Sequence, residues 1–172
     1  MSIFNFTDEQ SLGEVRSVET SRITVRVTDG QRLQKARVGR LVAIQSMGDE
    51  WLIGIIERVW RHPVELPTLP EADPPADLAG VPQEENGVSI SLVGTYRARD
   101  GQRTNSFTRA VFILPEINRS VFPIEEKSLE DFMGILSASS KADAAAPLKV
   151  GTYTLDGKAS AYIDGDKLFQ RH

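Results

Sequence analysis

The chain has 172 residues and a net charge of −4 at neutral pH, with 40% hydrophobic and 26% charged residues, enough apolar material for one core-bearing domain. A pI near 5.3 is the wrong sign for a protein that lives by wrapping a nucleic-acid backbone, although it leaves room for a local basic patch. The absence of cysteine excludes disulfides, thiolate catalysis and cysteine-based zinc sites and fits a reducing compartment.

In chain order, Met1–Phe6 carries neither a basic run nor a long apolar one, so no signal peptide is predicted. No apolar run approaches the roughly 18 residues of a membrane-spanning helix. The expectation is a cytoplasmic protein that does not touch the membrane. Phe4 and Phe6 sit on a terminal arm, where apolar side chains tuck onto their own core or dock on an adjacent subunit. Leu12-Gly13-Glu14-Val15 predicts the opening of a first strand, and Ser17–Ser21 a turn. Arg22 to Val27 alternates strictly, with Ile23, Val25 and Val27 on one face, which predicts a strand half buried and half wet. Asp29-Gly30 predicts a turn.

The stretch from Val38 to Trp60 organises the rest. Val38–Ile44 and Trp51–Trp60 are rich in β-branched and aromatic residues, and Met47-Gly48-Asp49-Glu50 breaks them with turn chemistry. Leu52–Ile56 is apolar on both faces, the mark of a strand covered on both sides. Gly54 within it predicts a bulge, a bend or a close backbone approach. From Arg61 to Gly87 six prolines and six acidic residues (Pro63 to Pro82, Glu65 to Glu85) predict a solvated surface connection. Val88–Tyr96 alternates again, with Val88, Ile90, Leu92 and Tyr96 expected inward. Asp100-Gly101 is read as a turn and Phe107–Leu114 as the returning apolar strand of a long hairpin. Ser128 followed by Asp131 resembles a capping box, and Leu129, Phe132, Met133 and Leu136 recur at helical spacing. Ser137–Ala146 is read as a loop and Val150–Tyr153 as a last short strand. The fold class expected is mainly β: a small closed antiparallel or Greek-key barrel with one short helix and a proline-rich connection.

Catalytic machinery is not legible. His62 and His172 are the only histidines, too few and too far apart for a transition-metal site of the usual type. Asp164-Gly165-Asp166 lacks the later ligands of a calcium loop and is read as a turn. No GxxxxGK[ST] or GxGxxG phosphate cradle and no GxSxG elbow occurs. Catalytic, cofactor-binding and metal residues are therefore not assigned. One group has a binding flavour. Arg97, Arg99, Arg103 and Arg109 surround the second hairpin's tip, with Tyr96 and Phe107 nearby. They could grip phosphates and stack on bases, or simply protect an edge and pair with acidic surface. That leaves a small barrel binding single-stranded nucleic acid as the alternative function.

Taken as an ordered set, Leu12-Gly13-Glu14-Val15, Val38-Gly39-Arg40-Leu41-Val42, Ile53-Gly54-Ile55-Ile56 and the segment Tyr162 to His172 with its Phe169-Gln170-Arg171-His172 ending resemble the front of HerA-type ATPases of the FtsK/HerA superfamily. In those hexameric DNA translocases a small domain, the HAS-barrel, precedes the motor. The resemblance covers nearly the whole of residues 1–172. It implies a barrel core over about 10–114, the acidic connection at 61–87, a helix and C-terminal strand over 115–160, and a lead-in to the motor at 161–172 that includes Phe169, Arg171 and His172. It further implies an oligomerisation and partner-docking module with no reaction of its own. ATP and magnesium would belong to the complete family member, whose phosphate-binding lysine, magnesium-binding acid and arginine finger have no counterparts here. The implied partners are further copies in a hexameric ring, DNA through the full-length ring, and an effector such as a NurA-like nuclease or a sirtuin-like NAD hydrolase, in DNA-end processing or antiviral defence. Phe4, Phe6, Arg97, Arg99, Arg103 and Arg109 are the candidate interface residues.

Overall fold

The computed structural model describes residues 2–46, 50–63, 84–98, 105–137, 148–163 and 165. In order they form β1 (Gly13–Val18), β2 (Arg22–Arg26), α1 (Gly30–Lys35), β3 (Leu41–Gln45), β4 (Glu50–Pro63), β5 (Glu84–Arg97), β6 (Ser106–Thr108), β7 (Ser120–Pro123), α2 (Glu126–Ser137), β8 (Leu148–Tyr153) and β9 (Asp156–Ile163). The sheet runs β2-β1-β7-β3-β4-β5, and β2 pairs back onto β5, closing a six-stranded antiparallel barrel. β6 extends the edge of β5 beyond β2. The mainly β, closed-barrel expectation is what the chain adopts. Its sixth strand, β7, lies past the 10–114 stretch expected to hold the core. No helix among the described residues is long and apolar enough to cross a membrane.

The barrel is filled by the alternating faces of its strands: Ile23 and Val25 from β2, Val42 and Ile44 from β3, Leu52 and Ile56 from β4, Val88 and Ile90 from β5 and Val121 from β7, all buried. A second core lies outside the barrel wall. There Ala43, Trp51, Ile53, Tyr96 and Phe122 face Phe4 of the N-terminal arm, Leu129 and Phe132 of α2, and Ala159 of β9. Both faces of β4 are therefore covered, as its unbroken apolar run requires. β8 and β9 form a separate two-stranded sheet, and β9 packs against α2 to complete the outer layer.

Several local expectations give way. Asp29 caps a helix rather than making a hairpin turn: its Oδ1 accepts from the Gln31 N–H at 2.8 Å, and α1 follows with Leu33 buried and Arg32 and Lys35 in its last turn. β1 runs through Ser17 to Val18, so the turn starts later. Val38 is exposed and β3 begins only at Leu41, because Gly39 takes a left-handed φ of 88° that breaks extended geometry. Arg61–Pro63 and Glu84–Gly87, expected in the connection, pair in register as the far end of the β4–β5 hairpin. Residues 64–83 lie outside the described residues, as do the turns expected at Met47–Asp49 and Asp100-Gly101.

Tyr96 leaves the face of Val88, Ile90 and Leu92 for a physical reason. Ile53 pairs with Gly94 and Gly54 with Leu92, so Val93 is an extra residue. A bulge of one residue inverts the alternation beyond it, which turns Tyr96 out of the barrel and into the second core. The apolar strand expected over Phe107–Leu114 shrinks to β6, ending at Thr108. α2 begins at Glu126, two residues ahead of Ser128.

Candidate docking surface

Residues 109–119 leave the barrel between β6 and β7 as irregular chain, clamped at both ends. The Thr95 hydroxyl donates to the Ala110 carbonyl at 2.8 Å. At the other end the Asn118 N–H donates to the Val15 carbonyl at 2.8 Å, and the Val15 N–H donates to the Arg119 carbonyl at 2.9 Å. Asn118 itself turns through a positive φ of 66°. Val111 and Pro115 point inward, Val111 packing against the barrel core. Between and beyond them Phe112 is 68% exposed, Ile117 52%, Leu114 46% and Ile113 39%. Four large apolar side chains within six positions thus stand in water on a segment held at both feet. The rim is charged: Arg119 donates to the Glu116 carboxylate through Nε at 3.0 Å, and Arg109 is exposed on the barrel side. A rigid apolar strip with a polar rim is the anatomy of a protein-contact surface.

The candidate interface residues named from sequence are scattered. Phe4 is 2% exposed and sits among Trp51, Tyr96 and Phe132, with ring centroids at 5.6, 5.0 and 6.1 Å. Phe6 stacks on Phe122 at 4.8 Å and stays partly exposed. Both phenylalanines tuck onto their own chain. Arg97 has its Nε 2.8 Å from the Glu50 carboxylate, so its charge is matched across the β4–β5 pair. Arg109 is exposed on the irregular segment. Arg99, Arg103, Phe169, Arg171 and His172 lie outside the described residues. His62 is exposed at the far end of the β4–β5 hairpin.

Two surface hollows of about 390 Å³ each are polar. One is lined by Asn5, Phe6, Gln10, Lys35, Pro123 and Glu125–Ser128. The other, at a barrel end, is lined by Asp8, Ser11, Gly13, Glu14, Arg26, Thr28, Arg32 and Ser120. Each mixes both signs of charge, which gives neither a net field for an ion nor an apolar floor for a small molecule. Among the described residues no three His, Cys, Asp or Glu side chains converge on a point that could hold a metal ion.

Beside the first hollow lies an arginine that sequence reasoning missed. Arg40, with its side chain only 12% exposed, donates from Nη1 to the Lys35 carbonyl at 2.9 Å and to the Glu125 carboxylate, and from Nη2 to the Leu155 carbonyl at 3.2 Å. One guanidinium thus ties the end of α1, the entry to α2 and the β8–β9 turn together, a three-way task that suits its planar fork of donors. Two phenols and two lysines elsewhere have raised pKa values. Burial pushes the Tyr96 and Tyr153 phenols up. A hydrogen bond to Asp131 raises Lys127, and one to Glu126 raises Lys158.

The geometry defines a mainly β barrel domain with an outer aromatic layer and an exposed apolar segment at Phe112–Ile117. Compared with protein-family models and with curated proteins, the chain matches none.

Proposed function

We propose that this chain is an assembly and docking module, the front barrel of a HerA-type ring ATPase, and that it presents Phe112, Ile113, Leu114 and Ile117 to an effector protein. The observation that carries this reading is the clamped, exposed apolar strip itself. Its side chains stand 39–68% exposed, and leaving that area in water forgoes about half of the roughly 1.5–3 kcal/mol that complete burial of each would contribute. A partner groove recovers that energy. The ordered glycine-bearing strands and the Phe169–His172 ending support the family assignment. In such an assembly the chain's own work is positional: it holds the strip rigid, while nucleotide chemistry belongs to the motor and effector chemistry to the partner, a nuclease or a sirtuin-like NAD hydrolase.

Two measurements test this. The reading frame following His172 should encode a strand and a phosphate-binding loop. The protein, mixed with the product of its neighbouring gene, should co-elute on size exclusion, and the double change Phe112→Ser and Leu114→Ser should weaken that association at least tenfold while leaving the far-ultraviolet circular dichroism unchanged. Neither co-elution nor self-association at high concentration, or an association indifferent to the double change, overturns the docking assignment.

A further inference from the structure

The N-terminal arm is held by side chains rather than by backbone pairing. Residues 2–6 make no ladder bond to the barrel among the described residues. The Ile3 N–H reaches the Tyr96 hydroxyl at a long 3.4 Å, and the Phe4 N–H donates at 3.1 Å to the Ser2 hydroxyl of the arm itself. Backbone pairing starts only later, with the Gln10 N–H on the Thr7 carbonyl at 2.9 Å and the Leu12 N–H on the Val121 carbonyl at 2.7 Å. What fixes the arm is its two rings. Phe4 fills a slot between Trp51, Tyr96 and Phe132, and Phe6 lies flat on Phe122 with an interplanar angle of 3°. The slot's walls stand on β4, β5, β7 and α2, and the three strands are ladder-paired on both sides, so the slot does not need the arm to exist. The arrangement is that of a Phe-x-Phe peptide bound in a preformed groove and tethered near Thr7.

We propose that this groove is a recognition site for the Ser2–Phe6 arm of a second copy of this chain, so that adjacent copies exchange arms. Every copy carries both the ligand and the groove, so the fit is complementary by construction. Five extended residues beyond Thr7 reach about 17 Å, enough to cross from one barrel to a neighbour held against it. Within one chain the tether supplies an effective concentration on the order of millimolar. The arm therefore folds back on its own barrel in the isolated molecule and exchanges where copies are crowded side by side. The site is distinct from the Phe112–Ile117 strip and does not depend on what that strip binds.

The test uses the full chain carrying Phe4→Ala, which empties the slot, and a fluorescein-labelled peptide of residues 2–10. Anisotropy should show saturable binding to the Phe4→Ala chain. A peptide with both phenylalanines replaced by alanine should not compete, and the wild-type chain, its groove occupied by its own arm, should bind about tenfold more weakly. Absence of saturable binding to a Phe4→Ala chain with native circular dichroism overturns the proposal, and so does equal binding to wild type. If Phe4→Ala unfolds the chain, Phe4→Leu, which keeps the slot apolar and partly filled but loosens the arm, serves as the recipient, and binding no tighter than to wild type overturns the proposal.

Discussion

Replacing Gly54 by alanine tests the barrel's packing directly. Gly54 lies on β4 opposite Leu92, and a Cβ built there would run into Cγ2 of Ile90 and stand 3.0 Å from the Ser91 carbonyl oxygen. Alanine in a strand is otherwise favoured over glycine by roughly 0.5–1 kcal/mol, so the sign depends on whether the neighbours can yield. Ile90 is fully buried in the barrel core, and Ser91 meets the new atom with its backbone, itself laddered to Arg22 and Ile55. Neither moves cheaply. Overpacking of a sealed core costs about 1–3 kcal/mol, and with neighbours this fixed the upper part of that range applies, which leaves a net loss of about 1–2 kcal/mol, or a fall in Tm of roughly 2–8 °C for a chain of this size. A double-mutant cycle isolates the cause. Ile90→Ala alone should cost about 2–5 kcal/mol, but the Gly54→Ala/Ile90→Ala chain should be more stable than the sum by at least about 1 kcal/mol, because the clashing branch is gone. Urea unfolding followed by tryptophan fluorescence measures all three. A neutral Gly54→Ala, or strict additivity in the cycle, refutes the packing argument.

Arg40→Lys keeps the charge and three donors, but on a single nitrogen that cannot span acceptors now met by two separate guanidinium nitrogens, and should lower stability by about 1–2 kcal/mol; a urea midpoint within error of wild type would contradict the three-way tie. Phe132→Ala removes a buried ring that meets Phe107 edge-on at 5.4 Å and also touches Phe4 and Tyr96. It should cost about 3–5 kcal/mol and flatten the near-ultraviolet circular dichroism, whereas a loss under 1 kcal/mol would mean the outer layer is not a packed core. Burial holds Tyr96 and Tyr153 above the ordinary phenol value of 10.0, so with rising pH the unfolded chain ionises first and the folded chain retains its protons. Stability is therefore intact below about pH 10 and falls above it. Tyr96→Phe should show a shallower alkaline decline in urea midpoint than wild type, and parallel declines would refute the assignment.

The strand pattern was readable where one rule governed. Ile23, Val25 and Val27 alternate and are buried as alternation demands, and the doubly apolar Leu52–Ile56 is doubly covered. Failures cluster where a single residue changes the geometry. Val93 inverts the register of β5, and nothing in Leu92-Val93-Gly94 marks which residue is extra. Asp29-Gly30 reads equally as turn or cap, and only the buried Leu33 three residues on decides for the helix. Val111–Leu114 looks like a strand because its residues favour one. Yet the four apolar residues run without alternation into Pro115, so a laddered strand there would still leave one apolar face to cover. That mismatch was the available sign of the exposed strip. Arg40 offered no comparable sign, because its three acceptors come from Lys35, Glu125 and Leu155, which only the fold brings together.

The outer layer explains how a barrel wall this apolar stays folded and where its spare surface goes. Ala43, Trp51, Ile53 and Phe122 point away from the barrel core and would be a large exposed patch on a bare barrel. Their cover comes from opposite ends of the described chain, the arm at Phe4 and Phe6 and the α2–β9 unit at Phe132 and Ala159. Such contacts close long loops, at a higher cost in chain entropy than the β1–β2 hairpin. The barrel and its cover therefore need not share one stability: the barrel is held by closed ladders, the arm by two rings and one long hydrogen bond. A segment that carries its own anchors and lies in a groove built by other elements is suited to change partners. The Phe112–Ile117 strip, fixed at Ala110 and Asn118, has the opposite mechanics. Both of its feet are tied to the barrel, one through the Thr95 hydroxyl and the other through the Val15 backbone.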